Sequence, residues 1–304
     1  MNRGTIDVGS RPGGLDLQAT LESGQSYLWW REDGADFEAG TTGDDGWYLT
    51  TARVDGTPAV VRTRKREDRL EWESTVDAGP LLRRRLSLGD HLPTIRETAP
   101  NDGFVQRAYD PYWGMRVVSD PPFPSVVSFI CSAQMRVSRI HRMQQSLREA
   151  FGTPVSFDGE TYHAYPTPEQ LAAASEAELR ELKLGYRAPY VKRTAEMVAN
   201  GEADPGDAAG RTYEEAREYL TQFVGVGEKV ADCVLLFSLD YRQAVPLDTW
   251  IRTTIEEYYP DCDRGNYVDT SRAIRERLGG EFAGYTQTYI FHYLRHAEDE
   301  PPEG

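Results

Sequence analysis

The first hundred residues show the alternation of apolar and polar positions that is typical of β-strands. Leu15, Leu17, Ala19 and Leu21 alternate with polar residues, which predicts a half-buried strand. The segments WYLTTARV, PAVVRTR and RLEWES continue this pattern, and turn-forming stretches such as TTGDDG and VDGTP separate them. We therefore predict an antiparallel sheet, followed from Asp77 by short helices in GPLLRRRLSLGDHLPTIRE.

Beyond about residue 100 the pattern changes to that of helices, and the segment APNDGF marks the change. Two helix starts are recognisable from Thr167 and Ser175, each with Gln or Glu three positions later. Apolar residues recur at helical spacing in the segment before them. That stripe consists of Val137, Ile140, Met143, Leu147 and Phe151. Further helices are predicted at about 188–200, 211–223, 228–239, 249–258, 267–278 and 282–297.

These patterns predict an α+β protein with two folded domains. The first is an antiparallel sheet domain over residues 1–100, and the second is a mostly helical domain over residues 101–297. Residues 298–304 form an acidic, Pro-containing tail that we expect to be disordered.

The charge balance at first argues against a nucleic-acid-binding protein. The 304 residues include 34 Lys+Arg and 49 Asp+Glu, a formal net charge of −15, whereas phosphate binding usually gives a basic excess. Only four basic residues are lysines, namely Lys65, Lys183, Lys192 and Lys229. An acidic, lysine-poor composition favours a cytosol at very high salt, as in haloarchaea. The alternative is an ordinary acidic protein from a GC-rich genome.

Several other classes of protein are excluded or disfavoured. No stretch approaches the ~18 apolar residues of a membrane span, and the start MNRGTIDVGSRPGG has no apolar segment of the secretory kind, so we expect a cytoplasmic protein. Cys131, Cys233 and Cys262 are too few for a disulfide framework or a four-cysteine metal site. His292 and His296 share a helical face, and we interpret them as a solvated helix end rather than as metal ligands.

The most informative segment is residues 221–251, TQFVGVGEKVADCVLLFSLDYRQAVPLDTWI. Gly225 and Gly227 permit a tight turn before a helix, where main-chain N–H groups suit a phosphate. An ordinary helix–helix connection is the alternative. Lys229 follows in the first turn of an apolar helix, where desolvation and the helix dipole favour a neutral, nucleophilic amine over a snorkelling surface lysine. Asp248 precedes the next helix and could be simply its N-cap, a role compatible with function because the cap fixes an ionised carboxylate that can stabilise a developing positive charge nearby.

This arrangement of glycines, lysine and aspartate resembles the helix-hairpin-helix DNA glycosylases, the HhH-GPD superfamily. Within it the sequence is most similar to the 8-oxoguanine DNA glycosylases, in several blocks that occur in the same order. Besides the hairpin, the blocks are SGQSYLWWRED (23–33), SFICSAQMRVSRIHRMQQSLREAFG (128–152), LGYRAPYV (184–191) and GYTQTYIFHYLRH (284–296). The resemblance implies a small TBP-like antiparallel sheet domain, then two helical subdomains that flank a cleft.

The resemblance also implies the catalytic residues. Lys229 matches the nucleophile, which attacks C1′ of a flipped nucleotide and holds the sugar as a Schiff base, with β-elimination as an accompanying AP-lyase step. Asp248 matches the carboxylate that stabilises the positively charged sugar. Val224, Gly225 and Gly227 match the hairpin that grips a DNA phosphate, commonly with a monovalent or divalent cation held by the main chain.

Other positions match residues that recognise the two separated bases. Gly24, Cys233, Gln287 and Phe291 match the pocket of the oxidised base, although Gly24 could be only a turn glycine and Cys233 only a buried apolar residue. Residues that contact the base left behind are matched on three segments, although the arginines could be ordinary surface residues. They are Gln134, Arg139, Tyr186 and Arg187.

Two departures from the family pattern matter. Gln134 stands where the family usually has Asn, which weakens the expected preference for cytosine in the opposite strand. Trp250 replaces a histidine that contacts a phosphate. No cysteine cluster follows Asp248, so we expect no iron–sulfur cluster and no required cofactor.

The resemblance thus predicts a monomeric repair enzyme acting on duplex DNA that contains oxidised guanine. The alternatives are an alkylbase (3-methyladenine) glycosylase of the same fold, which typically lacks the lysine, and a non-catalytic DNA-binding module. At molar salt the Debye length is only ~3 Å, so a net charge of −15 no longer excludes DNA binding. We expect a neutral or basic cleft around Lys229, Arg139 and Arg187.

Overall fold

The structure, a computed structural model, describes residues 1–35, 37, 46–133 and 135–297. The tail 298–304 and Gln134 lie outside the described residues. Among the residues that are described, no helix is both long enough and apolar enough to cross a membrane.

The N-terminal part forms a five-stranded antiparallel sheet with the strand order β1-β5-β4-β3-β2. Tight two-residue turns join its central strands, and at Asp55 and Gly56 both φ angles are positive, as a hairpin turn of this kind requires. The strands are β1 (Asn2–Asp7), β2 (Trp29–Arg31), β3 (Tyr48–Val54), β4 (Thr57–Arg66) and β5 (Arg69–Ser74). The predicted sheet is confirmed.

The strand predicted at residues 15–21 is wrong, because this segment forms helix α1 (Leu17–Glu22). The Asp16 side chain accepts a hydrogen bond from the Ala19 amide and caps the helix. Leu17 and Leu21, one turn apart, pack into the apolar cluster of the sheet, whereas Ala19 packs into the helical core. A helix buried on two sides shows apolar residues at alternate positions, and this pattern imitated a strand.

Helices form nearly all of the remainder. The predicted short helices are α2 (Gly79–Arg85) and α3 (Leu92–Thr98). They are followed by α4 (Gly103–Tyr109), α5 (Pro122–Ser132), α6 (Val137–Phe151), α7 (Pro168–Ala173), α8 (Glu176–Glu181) and α9 (Ala188–Ala199). The last five are α10 (Tyr213–Leu220), α11 (Glu228–Ser238), α12 (Thr249–Tyr258), α13 (Tyr267–Arg277) and α14 (Ala283–Ala297). Short 3-10 turns occur at Asp110–Tyr112, Gly185–Arg187, Pro205–Ala208, Pro260–Cys262 and Gly280–Phe282.

The predicted helix starts at Thr167 and Ser175 are confirmed as capping boxes. In each, the cap hydroxyl accepts from the backbone amide three residues on, and the Gln170 or Glu178 side chain accepts from the cap amide in return. A hairpin that the sequence analysis did not predict, β6 (Thr153–Phe157) and β7 (Glu160–Ala164), follows α6.

The hairpin β6–β7 connects the sheet to the helices. Phe157 packs with Leu49 and Val60 in a small cluster, with Trp30 and Tyr162 against it. The large helical core takes apolar residues from both sides of residue 100, including six residues from the N-terminal hundred. These six are Ala19, Tyr27, Leu28, Leu92, Ile95 and Ala99. The segment around Tyr27 is therefore held against the helices, although it lies between elements of the sheet region.

Candidate active site

The turn between α10 and α11 is rigid and has an exposed apex. Phe223 and Val226 are buried and anchor it, and the Val226 amide donates to the Phe223 carbonyl oxygen (3.0 Å). Gly225 has a φ of +89°, and a Cβ added there would lie 2.9 Å from Cβ of Tyr190. Only glycine therefore fits at Gly225. Thr194 Oγ1 donates to the Val224 carbonyl oxygen (3.2 Å), which fixes the apex from α9.

The main chain of this turn presents free donors. Gly227 is the N-cap of α11, and it has no side chain to cap the first turn of the helix. No described residue accepts a hydrogen bond from the amides of Gly225 and Gly227. Because both residues are exposed, their N–H groups are available to an anion outside the protein.

Lys229 lies in the first turn of α11, half-buried, and its amine is hydrogen-bonded to the thiol of Cys233 one turn further on. Burial raises the pKa of the Cys233 thiol to about 11, Lys229 lowers it, and the charge of Asp248 raises it. Lys229, Cys233 and Asp248 are therefore close together. Cys233 is also buried among apolar residues, in agreement with its interpretation as a buried apolar cysteine.

Asp248 is the N-cap of α12, where Oδ1 accepts from the Ile251 amide (2.9 Å). The N-cap interpretation is confirmed, and it fixes the carboxylate in place. Burial raises the pKa of Asp248, while the Ile251 amide and the Lys229 cation lower it. The cap and a charge interaction with Lys229 coexist.

Gly24 lies in the loop after α1 and packs against the last helix. Its φ is +84°, and a Cβ added there would lie 3.3 Å from Phe291 Cε1 and 3.3 Å from Arg295 Nη1. Arg295 Nη2 also donates to the carbonyl oxygen of Glu22 (2.7 Å). Gly24 is thus both a turn glycine and a point of close approach to α14.

Buried side chains of the same loop hold it in position. Gln25 Nε2 donates to the Arg116 carbonyl oxygen (3.0 Å), and Gln25 Oε1 accepts from the Val118 amide (3.0 Å). The Ser26 hydroxyl donates to the Asp120 carboxylate. This explains the polar motif SGQS, because Gln25 and Ser26 act as buried anchors for the loop that carries Gly24.

Gln287 and Phe291 lie one turn apart on α14, as predicted. Gln287 is only 3% exposed, and its Oε1 atom has no hydrogen-bond partner among the described residues. A buried polar atom without a hydrogen-bond partner destabilises the folded state by about 1–3 kcal/mol, and a bound ligand that donates a hydrogen bond would remove this cost.

Tyr27 lies between the catalytic residues on α11 and α12 and the pocket residues near Gly24, and it was not among the residues predicted from the sequence. Burial raises the pKa of this tyrosine, and the charges of Cys233 and Asp248 raise it further, whereas Arg295 lowers it. Tyr27 is thus near the reacting groups on α11 and α12 and near Arg295 beside Gly24. Through Tyr27 and Arg295, the structure therefore places Cys233 and Asp248 in the same region as Gly24 and Phe291. The only sequence signal was an aromatic residue next to SGQS.

Of the residues expected to contact the opposite strand, Tyr186 and Arg187 lie together next to Tyr190, which contacts the hairpin. Arg187 is buried, donates to the Ala133 carbonyl oxygen and lies 4.2 Å from the ring centroid of Tyr186. Tyr186 is 53% exposed and packs against Tyr190, the residue in contact with Gly225. Arg139 is exposed on α6. Gln134 itself is outside the described residues, next to the Ala133 carbonyl that Arg187 binds.

The histidine pair at the end of α14 differs from its interpretation as a solvated helix end. His292 is buried, with ring centroids 4.3 Å from both Tyr112 and His296. Burial lowers the pKa of His292 to about 2, and His296 and Arg295 lower it further, so this ring is neutral. In the described part of the chain, no group of three or more His, Cys, Asp or Glu residues could hold a metal ion.

With this geometry in hand, the chain can be compared with known proteins. The model of the HhH-GPD superfamily of base excision DNA repair proteins matches residues 127–279, half of the chain. The chain belongs to the HhH-GPD superfamily. This HhH-GPD protein is 31% identical to a probable N-glycosylase/DNA lyase of Methanothermobacter thermautotrophicus, over 93% of the chain and 94% of that relative. It is 30% identical to the N-glycosylase/DNA lyase of Saccharomyces cerevisiae, over 91% of the chain and 82% of that relative.

A solved structure agrees with these relatives. The Clostridium acetobutylicum 8-oxoguanine glycosylase/lyase, in complex with double-stranded DNA that has cytosine opposite 8-oxoguanine, superposes with a TM-score of 0.80 at 25% identity, covering 93% of each chain. The HhH-GPD protein is therefore a DNA-binding base excision repair enzyme with N-glycosylase and DNA lyase activity. The α+β fold and the family resemblance predicted from the sequence are confirmed.

Proposed function

We propose that this enzyme excises 8-oxoguanine from duplex DNA and then cleaves the abasic strand, with Lys229 as the nucleophile. The single observation that carries the proposal is the buried amide oxygen of Gln287, which has no hydrogen-bond partner among the described residues and lies one helical turn from Phe291, the ring next to Gly24. A planar base turned out of the helix supplies the missing hydrogen-bond donors. The similarity to an 8-oxoguanine glycosylase/lyase supports this lesion.

In the proposed reaction the amine of Lys229 attacks C1′ of the flipped nucleotide. The N-glycosidic bond breaks, and the base leaves with the bonding electrons and takes up the proton that the amine releases. The C1′–O4′ bond then breaks, O4′ takes up a proton from water and becomes a hydroxyl, and the nitrogen lone pair forms the protonated Schiff base with C1′. Abstraction of a proton from C2′ then expels the 3′ phosphate by β-elimination. Asp248, held by its cap hydrogen bond, stabilises the positive charge on the sugar.

Base recognition is proposed to use the pocket residues together. The Gly24 carbonyl oxygen accepts the N7–H of 8-oxoguanine, which discriminates the lesion because N7 of normal guanine is an acceptor. Phe291 and Cys233 contact the two faces of the base, and Gln287 binds its Watson–Crick edge. The packing of Gly24 against Phe291 supports this assignment, since the carbonyl and the stacking ring share one wall.

The remaining residues are proposed to bind the duplex. Tyr186, Arg187, Arg139 and Gln134 contact the base left without a partner, and the amides of Gly225 and Gly227 bind a phosphate beside Val224. A cation at the hairpin would be held by main-chain carbonyl oxygens, because the two glycines offer no side-chain ligands. We further propose a cytoplasmic monomer that needs no cofactor and no iron–sulfur cluster.

Borohydride trapping tests the proposal. Wild-type enzyme with an 8-oxoguanine duplex should give a covalent protein–DNA adduct, and Lys229→Gln should give none. Lys192→Gln is the matched control, because Lys192 is also half-buried but binds the carbonyl oxygens of Ala172 and Ala174. An undiminished adduct with Lys229→Gln would exclude this nucleophile, and adduct on abasic DNA but not on 8-oxoguanine DNA would exclude the lesion.

A second measurement addresses the opposite strand. The excision rate is compared with cytosine, adenine, guanine or thymine opposite the lesion. Because Gln134 replaces the usual Asn, we expect a weaker preference for cytosine than the family pattern implies. A sharp preference for cytosine would show that the longer side chain reads this base equally well.

A further inference from the structure

Asp232 is a fully buried carboxylate in the apolar helix α11, three residues after Lys229. Two tyrosine hydroxyls hold it. Tyr213 donates to Oδ1 (2.6 Å) and Tyr267 donates to Oδ2 (2.7 Å). Arg217 Nη1 lies 4.0 Å from Oδ2. The carboxylate is thus paired on both oxygens inside the protein.

The hydrogen bonds to Asp232 keep its carboxylate ionised in the protein interior, where burial disfavours a charge. Burial raises the pKa of Asp232 to about 6, and Tyr213, Arg217, Tyr267 and Arg275 hold it below the value that burial alone would give. At neutral pH the group is therefore mainly ionised. A buried ion pair is often less stable than apolar residues of the same volume, so packing alone does not account for this one.

Tyr267 connects this charge to the chain that carries Asp248. Its hydroxyl donates to Asp232 and at the same time accepts a hydrogen bond from the Leu247 amide (3.2 Å). Leu247 directly precedes Asp248. Because a hydroxyl that donates to a carboxylate is polarised, it is a better acceptor for the Leu247 amide. The network therefore runs from α11, which carries Lys229, to the backbone at the start of α12.

We propose that Asp232 and Tyr267 are positioning residues that fix the Asp248 carboxylate relative to the Lys229 amine. The inference rests on the proposed roles of Lys229 and Asp248. Lys229 and Asp232 are rigidly related because they lie one turn apart on the same helix. Tyr267 extends from Asp232 to the residue before Asp248, so a single carboxylate couples both reacting groups. Small errors in such a distance slow a reaction strongly, even when the binding of substrate is unchanged.

Tyr213 provides a matched control within the same cluster. Its hydroxyl also donates to Asp232, but its other hydrogen-bond neighbours are Arg217 Nη1 (3.4 Å) and Ser271 Oγ on α13 (3.5 Å), not the chain before Asp248. Both tyrosines therefore give up one hydrogen bond to the same carboxylate when they are replaced by phenylalanine. Only Tyr267→Phe also removes the acceptor of the Leu247 amide.

The test compares single-turnover rates of Tyr267→Phe, Tyr213→Phe and wild type on an abasic-site duplex and on an 8-oxoguanine duplex. We expect Tyr267→Phe to slow strand cleavage and borohydride trapping roughly ten- to hundredfold. Tyr213→Phe should stay within about twofold of wild type, and the DNA dissociation constants of both variants should be unchanged. Thermal unfolding midpoints check that the two variants lose similar stability.

Equal rates for the two variants, or a wild-type rate for Tyr267→Phe, would overturn the proposal. If Tyr267→Phe does not fold, Asp232→Asn replaces it, since this change keeps the size of the side chain and both tyrosines. It should slow cleavage several-fold with unchanged DNA affinity, and a wild-type rate would again overturn the proposal. If the wild type cleaves abasic DNA but not 8-oxoguanine DNA, the proposed lesion is contradicted instead. The positioning role is still tested, because it depends on the ratio of variant to wild-type rates on abasic DNA.

Discussion

Lys229, Cys233 and Asp248 come from one short part of the chain and form a local set, whereas Gly24, Gln287 and Phe291 come from its two ends and form a long-range set. The first set is positioned by local geometry: one helical turn separates Lys229 from Cys233, and a helix cap fixes Asp248. The second set depends on contacts between distant segments, such as Arg295 Nη2 with the Glu22 carbonyl oxygen.

The difference has a chemical reason. The distance between the reacting amine and the carboxylate must be the same in every turnover. Two neighbouring helices fix this distance because they are rigid elements. A base pocket must instead enclose a flat molecule on several sides, which no single segment can do. Its walls are therefore assembled from a loop and a helix, with Gln25 and Ser26 buried to hold the loop.

The largest effect is expected from Asp248→Asn, which tests whether the local set works through charge. Asparagine caps a helix about as well as aspartate, so the fold should be retained. Loss of the negative charge beside the sugar should slow base excision by about a thousandfold, while DNA affinity changes little. Single-turnover excision and binding assays measure the two quantities. Asp16→Asn at the half-buried N-cap of α1 is the control, and equal slowing in both variants would reduce Asp248 to a cap.

The buried charge of Asp232, which lies on the same helix as Lys229 and Cys233, should also affect how the free energy of unfolding depends on pH. Asp232 has a pKa of about 6 in the folded protein, against about 4 when unfolded. At a pH between these two values, the Asp232 carboxyl group is protonated in the folded state and ionised in the unfolded state. The contribution of Asp232 to stability is therefore fully present below about pH 4 and is lost as the pH rises through about 6. The free energy of unfolding should fall by about 3 kcal/mol from this source.

Denaturant unfolding of wild type and Asp232→Asn at several pH values isolates that contribution, because all other groups cancel in the difference. We expect the variant to gain up to about 3 kcal/mol relative to wild type between pH 4 and pH 7. A difference that does not change with pH would mean that Asp232 does not titrate in this range. The gain in stability, together with a loss in rate, would show that the buried charge serves the reaction rather than the fold.

The long-range set is tested by Gly24→Ala, for which we expect a smaller effect of about 2 kcal/mol, or roughly thirtyfold, in kcat/KM on 8-oxoguanine DNA. The added Cβ would meet Phe291 and Arg295 at 3.3 Å and would push apart two walls of the pocket. Gly56→Ala is the control, since Gly56 also has a positive φ (+76°) but has nothing within 4 Å of an added Cβ. Backbone strain is thus common to both variants. A similar loss of kcat/KM in both would show that Gly24 has no specific role in base recognition.

The sequence predicted the local set well because its signals are short-range. Two glycines, a lysine and a capped aspartate each define a local backbone geometry, and the structure has all of them in the expected elements. Much of the fold was predictable for the same reason, from the strand alternation in β3–β5 and the capping boxes at Thr167 and Ser175.

What the sequence could not give depends on contacts between distant segments. The helix at Leu17–Glu22 imitated a strand because two different cores bury its two sides. Tyr27 has no local signal for its place near Cys233 and Asp248, and Arg295 none for its bond to Glu22. Two missed features had usable signals. Asp158-Gly159 is the turn of β6–β7, and Asp232 is a carboxylate within an apolar helix.

The smallest effect is expected at the hairpin, which receives one hydrogen bond from α9 besides the packing of Tyr190 against Gly225. Thr194→Val removes the hydroxyl that donates to the Val224 carbonyl oxygen, and since Val224 is exposed, water can replace the donor. We therefore expect only about 1 kcal/mol, a roughly fivefold weaker affinity for an abasic-site duplex at fixed salt. Thr254→Val is the matched control, because Thr254 is equally buried but donates to Trp250 within its own helix. If both variants bind DNA alike, the hairpin keeps its shape without the hydrogen bond from α9.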